Sequence, residues 1–435
     1  MKKLTISILG IIIIIIISLL FLFLTESGES IRKKLLTSVE VKSNSLEIFS
    51  WWTAGGESEG LKELFKQFKK TNPGVEVVNA TIVGGSGTKA QTVLYTRMKS
   101  DTPPDSFQVL AGPEFIETWV ETGFLEPLTF LYEKNNWLKL FSRDVLNRIT
   151  HDGEIYAVPL NIHRGNLIWY NLSIFRKYDL SPPETMEDLF NIAEILAENG
   201  ITPLALGDKN IWPALGIFEN TVISHLGPDG YSSLWENPDL WETDKLTFIL
   251  KDFLKIIEYT NSDHAALTWD ESVQYVIDGK CAMISIGDFA EGYFRSEGFM
   301  PEKNFQWFPY PGTKGIFSLI SDVFTLPENA VNRENALQWL NLIGSKEGQD
   351  IFNPIKGSLS PRLDSDITMY HGYLQYSKKS YSSDKIVGSF THGAEINDHW
   401  KMQISEIIHK LMIDNNIQKA IIQLQNAAAD QLSLQ

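Results

Sequence analysis

The sequence predicts an α/β protein built as two lobes, and three observations carry that prediction. Its 435 residues exceed the roughly 250–300 at which a single hydrophobic core stops growing. Apolar residues make up 43 % of the chain and aromatic ones 11 %, enough to fill more than one core. From residue 46 onward, strand-like runs alternate with amphipathic helical runs, the order that builds a parallel sheet with right-handed crossovers. Acidic residues outnumber basic ones by 54 to 38, for a formal charge of −16. A surface this negative repels phosphate backbones and argues against a nucleic-acid partner.

Met1-Lys2-Lys3 is followed by an uncharged run, Leu4 to Leu24, that includes the isoleucines Ile11 to Ile17. A basic start and an apolar run have the form of an export signal. The run is also long enough to cross a bilayer core of about 30 Å as a helix, and no Ala-x-Ala site follows it. Residues 1–24 are thus either a signal peptide that is removed or a signal anchor that stays. In both cases the rest of the chain is periplasmic or extracytoplasmic. Residues 25–45, polar and aperiodic, read as a tether.

Order starts with the aromatic strand Leu46 to Trp52. Thr53-Ala54-Gly55-Gly56-Glu57 turns the chain into a helix with Leu61, Leu64, Phe65 and Phe68 on one face. Lys62, Lys66, Lys69 and Lys70 lie on its other faces, and Asn72-Pro73-Gly74 ends it. Val75 to Val83 reads as a second strand, Lys89 to Met98 as a helix, and Ser106 to Leu110 as a third strand. Tyr156–Leu160 and Leu167–Tyr170 are strand-like. Helices are expected over Met186–Glu198, Asp244–Tyr259, Glu271–Asp278, Arg333–Ile343 and Met402–Met412, and one strand over Phe317–Leu326. Cys281 is the only cysteine, so no intrachain disulfide can form. Its setting, Cys281-Ala282-Met283-Ile284-Ser285-Ile286, predicts a buried strand and a packed thiol.

Trp51-Trp52 closes a strand just before a glycine turn, where ligand sites of open α/β sheets lie. A sugar ring offers apolar C–H faces and a rim of hydroxyls. Indole plates suit the faces, and fixed polar groups suit the rim. The pair with Gly55, Gly56 and Glu57 therefore reads as a site. The structural alternative places one indole in the core and the other on the surface.

A resemblance extends this reading. Phe49-Ser50-Trp51-Trp52, Asp105 to Val109, Val158 to Arg164, Gly287-Asp288-Phe289, Leu319 to Asp322, Ser345 to Gln349, Asn353 to Ser358 and Gly388 to Ala394 occur in that order. Together they resemble the extracytoplasmic solute-binding proteins of sugar ABC importers, in particular their glucose/mannose-binding branch. The resemblance implies a two-lobed periplasmic-binding-protein fold with a ligand cleft and a multi-strand hinge. Residues 46–157 and 319–365 would form the first lobe, 158–318 and 366–435 the second.

The same resemblance implies that Trp51 and Trp52 form an aromatic wall. Glu57, Gln108 and Asn161 would bond hydroxyls, Trp269 would stack from the second lobe, and Asp322, Lys356 and His392 would complete a polar ring. Each has a plainer reading beside it. Glu57 can cap a helix, Asp322 can form a hinge salt bridge, Lys356 reads as a loop lysine, and His392 and Trp269 can be structural. His163 beside Arg164 reads as a support of the crossing between lobes. Two departures stand out: Leu110 where relatives carry a polar residue, often His, and Phe289 in place of Trp.

The implied function is capture of a monosaccharide such as glucose or mannose by hinge closure, and its delivery to the membrane subunits of an ABC transporter. No enzyme activity and no cofactor are expected. The eight histidines are scattered, with no metal-site spacing. Gly84-Gly85-Ser86-Gly87 lacks a phosphate-loop spacing and reads as a tight turn. One rival is an exported glycoside hydrolase using Glu57 with Asp322, which needs one carboxyl kept protonated. Another is a sugar-sensing subunit for a membrane receptor, which would use the same site.

Overall fold

The computed structural model describes residues 44–82, 88–237, 240–241 and 244–433. The Leu4–Leu24 run, nearly all of the tether and the Gly84–Gly87 turn lie outside the described residues. Among those described, no helix is long and apolar enough to cross a membrane.

Strands β1 (Ser45–Phe49), β2 (Glu76–Asn79) and β3 (Ser106–Leu110) alternate with α1 (Gly55–Thr71) and α2 (Thr88–Lys99). Next come β4 (Ala157–Pro159), β5 (His163–Arg164), β6 (Leu167–Asn171), α3 (Met186–Glu198), β7 (Thr202–Ala205), α4 (Trp212–Leu234) and α5 (Asp244–Glu258). Then follow α6 (Trp269–Ile277), β8 (Cys281–Ser285), α7 (Phe289–Ser296), β9 (Phe305–Pro309), β10 (Ile316–Ile320) and β11 (Asp322–Thr325). The principal elements end with α8 (Arg333–Gly344), α9 (Lys346–Lys356), α10 (Tyr373–Ser383), β12 (Lys385–Gly388), α11 (Asp398–Asp414) and α12 (Ile417–Ser433).

Local sequence explains the clearer of these. Helix α1 buries Leu61, Leu64 and Phe68 and turns its lysines outward. Thr185 and Asp188 form a reciprocal cap that starts α3. Strand β8 is buried along its whole length, as strands covered on both faces are. Burial also pushes the Cys281 thiol up to about 12, so it is a packing group.

One sheet has the order β2-β1-β3-β11-β4, a second β9-β6-β8-β7 and a third β12-β10-β5. The pairing departs from the all-parallel expectation. β1 and β3 are parallel, but β11 lies antiparallel to both β3 and β4. The predicted strand Phe317–Leu326 is in fact two, broken at Ser321, with β10 in the third sheet and β11 in the first. The apolar run continues through the break because both halves are buried. The chain thus passes between sheets after β4 and again after β10. These passages are why the sheets are mixed. Of the strand expected over Val75–Val83, Val83 lies outside the described residues; among the rest, ladder pairing holds only over Glu76–Asn79, with Ala80 and Ile82 still donating to Ile48 and Ser50.

Two large apolar cores accompany the sheets, one around Trp52, Phe68, Trp119 and Trp339, the other around Tyr170, Phe218, Trp235, Trp241 and Trp400. A third cluster, around Trp169, Phe294 and Tyr373, also takes in Ile162 and Leu359 near the passages. The N-terminal end of α1, the C-terminal end of α9 and helix α7 meet through glycines. A Cβ on Gly56 would lie 2.5 Å from the Ile355 carbonyl oxygen, and one on Gly292 only 2.3 Å from that of Lys356. Gly292→Ala should therefore destabilise the protein by about 1–3 kcal/mol, as overpacking does, and lower its thermal midpoint. Gly216→Ala in α4, where a Cβ meets nothing within 4 Å, should leave the midpoint unchanged or raise it.

Candidate ligand-binding site

A cleft of about 250 Å³ opens between the first sheet and the elements of the second and third. Trp51 and Trp52 reach it because β1 ends at Phe49 and the chain stays extended up to Ala54, where α1 begins. Trp52 packs on Phe352 at 4.9 Å and edge-on to Phe324 at 5.7 Å. Its ring is mostly core, with one side on the cleft. Glu57, in the first turn of α1, accepts a hydrogen bond from Lys356 Nζ at 2.6 Å. Lys356 is the last residue of α9, a helical position rather than the loop expected from Pro354 and Gly357. Its ammonium stands 5.7 Å from the Trp52 ring and 5.8 Å from that of Phe289, within cation–π reach of both.

Asp322 begins β11 beside Leu110 on β3, and both line the cleft. Its oxygens accept from Gln108 Nε2 at 2.6 Å and Asn161 Nδ2 at 2.7 Å. The Asp322 N–H donates to Asn161 Oδ1 at 2.8 Å, and the Trp51 N–H to Gln108 Oε1 at 3.3 Å. Gln108 and Asn161 are fully buried and absent from the lining. The structure places these two behind Asp322 rather than in the cleft, because both amides are spent on holding that carboxylate.

The opposite wall is aromatic. Phe289 is its hub, with Trp212 at 5.8 Å, Trp269 at 5.4 Å, His163 at 5.8 Å and His392 at 6.3 Å, all edge to face. Only glycine fits two residues earlier, since a Cβ on Gly287 would lie 2.5 Å from the Phe289 ring. Trp269 starts α6 directly after the Thr268–Glu271 reciprocal cap. A Cβ on Gly207 would lie 2.1 Å from the Thr268 carbonyl oxygen, so the 207–212 loop presses on that cap. Trp51, Trp52, Glu57, Trp269, Asp322, Lys356 and His392 of the expected set are thus brought together in one lining.

Sequence reasoning missed Trp212 together with Lys209, Asn210, Thr268 and Asp270, which also line the cleft. A signal for Trp212 was present. Like Trp51-Trp52, it follows the carboxyl end of a strand, here β7, with a glycine, Gly207, in the connecting turn. Among the described residues no group of three or more His, Cys, Asp or Glu could hold a metal ion.

His392 bonds Ser389 Oγ through Nδ1 at 2.9 Å. Burial first, then the charge of Lys401, pulls its pKa down to about 3. An unfolded histidine titrates near 6.5. Between those values the unfolded chain binds the extra proton, so this term weakens the fold as pH falls below about 6.5. Glu395, which burial pushes up to about 7, acts in the opposite sense over part of that window. Urea unfolding of the protein and of His392→Gln, compared at pH 7.5 and 5, isolates the histidine. The variant should lose about 2 kcal/mol less on acidification.

With this geometry established, known proteins resemble the chain as follows. The model of the bacterial extracellular solute-binding protein family matches residues 54–350. An uncharacterized ABC transporter extracellular-binding protein of Pyrococcus horikoshii is 37 % identical over 386 residues, 88 % of this chain and 87 % of that protein. A probable sugar-binding periplasmic protein of Brucella melitensis is 29 % identical over 359 residues, covering 81 % and 84 % of the two chains. The solved structure of the bacterial solute receptor AcbH shares the fold, with a TM-score of 0.79 at 19 % identity over 90 % of this chain and 98 % of that one. The α/β chain described above belongs to the bacterial extracellular solute-binding proteins, the substrate-binding components of ABC transporters.

Proposed function

We propose that the protein captures a monosaccharide such as glucose or mannose outside the cytoplasm and passes it to the membrane subunits of an ABC importer, without chemical change to the sugar. The observation that carries this reading is the cleft itself. Indoles from the first lobe, Trp51 and Trp52, face an aromatic wall of Trp212, Trp269 and Phe289, while Asp322, Glu57, Lys356 and His392 stand around them. Aromatic plates suit the C–H faces of a pyranose, and the charged groups suit its hydroxyls. The volume, about 250 Å³, lies just below the roughly 300–1,000 Å³ of sites for drug-sized ligands, which favours one sugar ring over a long oligosaccharide. The Brucella relative is named as sugar-binding, and AcbH is described as preferring β-D-galactopyranose. Both agree with a sugar ligand and leave the hexose to experiment.

A hydrolase is less well supported by the same residues. Glu57 accepts from the Lys356 ammonium, and both Asp322 oxygens accept from amides. Neither carboxyl is placed to donate a proton to a leaving group. Retention of the Leu4–Leu24 run as an anchor, or its removal as a signal peptide, would equally leave the cleft outside the cytoplasm.

Calorimetric titration with a panel of monosaccharides and disaccharides tests the reading. A hexose should bind with micromolar affinity, about −8.2 kcal/mol, and incubation with glycosides should yield no product. Trp51→Ala should weaken binding at least about tenfold, a loss of about 1.4 kcal/mol, with an unchanged circular dichroism spectrum. Unaltered affinity in that variant would remove the indole wall from the proposal.

A further inference from the structure

We infer that His163 contacts the ligand, and that Asp288 and Tyr373 hold its ring so that Nε2 offers the cleft a lone pair and never a proton; it therefore takes a sugar hydroxyl as donor and turns away a group with no proton to give. The inference rests on the reading of the cleft as a sugar site.

His163 lies in β5 at the first passage between sheets and is 1 % exposed. Its Nδ1 is hydrogen-bonded to Asp288 Oδ1. The other Asp288 oxygen accepts from the Tyr373 hydroxyl at 2.7 Å. Burial, with the Asp288 charge, pushes the Tyr373 phenol well above its ordinary value, so it remains a donor. A carboxylate can only accept. Nδ1 must then carry a proton, and in a singly protonated ring Nε2 is left bare. That nitrogen is buried without a hydrogen-bond partner among the described residues, a destabilising arrangement unless something else bonds it. His163 lines the cleft, and Phe289 stands at 82° to its ring, 5.8 Å away.

Counting protons at His392 gives the same polarity by a separate route. Glu219 Oε2 accepts from the Thr391 N–H at 2.8 Å and from Ser389 Oγ at 2.9 Å. With two donors on that oxygen, any proton on Glu219 sits on Oε1, which faces Ser318 Oγ at 3.0 Å. The single Ser389 proton is therefore spent on Glu219, and Ser389 Oγ accepts from His392 Nδ1. His392 Nε2, likewise buried without a described partner, is a second bare nitrogen. Two relays built from different residues thus make this side of the cleft a hydrogen-bond acceptor.

The test reads the ring nitrogens directly, in long-range proton–nitrogen spectra of protein carrying isotope-labelled histidine, with His163→Gln and His392→Gln to assign the signals. In the free protein Nδ1 should be protonated and Nε2 unprotonated in both rings. A proton on His163 Nε2, alone or in a doubly protonated ring, overturns the relay. Saturation with the hexose that binds in calorimetry should move the His163 Nε2 signal in the direction of hydrogen-bond acceptance. An unmoved signal overturns the contact. Among monodeoxyfluoro analogues of that hexose, one should bind about tenfold more weakly than the parent, and His163→Gln should abolish that difference. A uniform loss in both proteins counts against selection by this nitrogen. If no sugar binds, the sugar reading falls, and the free-protein tautomers still decide whether the relay exists.

Discussion

The buried carboxylate of Asp322 is the constraint on which the rest depends. A carboxylate taken out of water without partners costs several kcal/mol, so its position is tolerable only where donors converge. Gln108 comes from the strand beside it, and Asn161 from the first passage between sheets. Asn161 also receives the Asp322 N–H, and its carbonyl accepts from Ser321 Oγ at 2.6 Å. Gln108 in turn receives the Trp51 N–H. One charge thereby fixes the backbone of the aromatic wall, the register of β11 and both ends of a crossing. The group that ties β3 to the first passage between sheets is the same group that lines the cleft.

Much of this was legible in the sequence, and the failures have physical causes. Helix α1 could be read because Leu61, Leu64 and Phe68 share a face and nothing else competes for them. The strand at Cys281 could be read because every residue in it is apolar or small. The passage at Ser321 could not, since both halves of its apolar run are buried and hydropathy carries no trace of a change of sheet. Helix α9 was obscured by Pro354 and Gly357. Ser345 caps its start by accepting from the Gly348 N–H, and Gly357 closes it in the left-handed region, so the proline falls in the last turn of a helix already formed. Gln108 and Asn161 could be recognised as polar residues near the site. Their task could not be, because only the pairing of β3 with β11 sets Gln108 against Asp322, and that register joins residues more than two hundred positions apart.

The aromatic wall of the second lobe shows how a departure from a family pattern can be absorbed. Phe289 stands where an indole was expected, and its smaller ring is enclosed edge-on by Trp212, Trp269, His163 and His392. Edge-to-face contacts of this kind add about 0.5–1.5 kcal/mol each beyond area burial. Phenylalanine lacks the indole N–H, so this position cannot donate. The loss agrees with the acceptor character argued for the two imidazoles.

Three helix ends meet at the mouth of this site, and their electrostatics bear on closure. Glu57 sits in the first turn of α1 and Lys356 in the last turn of α9, the ends at which an acid and a base are each favoured by the helix dipole. Phe289 begins α7, whose Gly292 presses on the Lys356 carbonyl. The Glu57–Lys356 pair joins α1 to α9, and beside it the Gly292 contact joins α9 to α7. A ligand shifts the opening equilibrium only by the difference in its affinity for the open and closed forms. On the proposed reading, a ring held between Trp51 and Phe289 would favour whichever form brings those two side chains to it together. A Cβ would lie 2.5 Å from the Ile355 carbonyl oxygen at Gly56, 2.3 Å from that of Lys356 at Gly292 and 2.7 Å from the Gly292 nitrogen at Gly357, so a methyl group at any of the three must push one of these helix ends away from another.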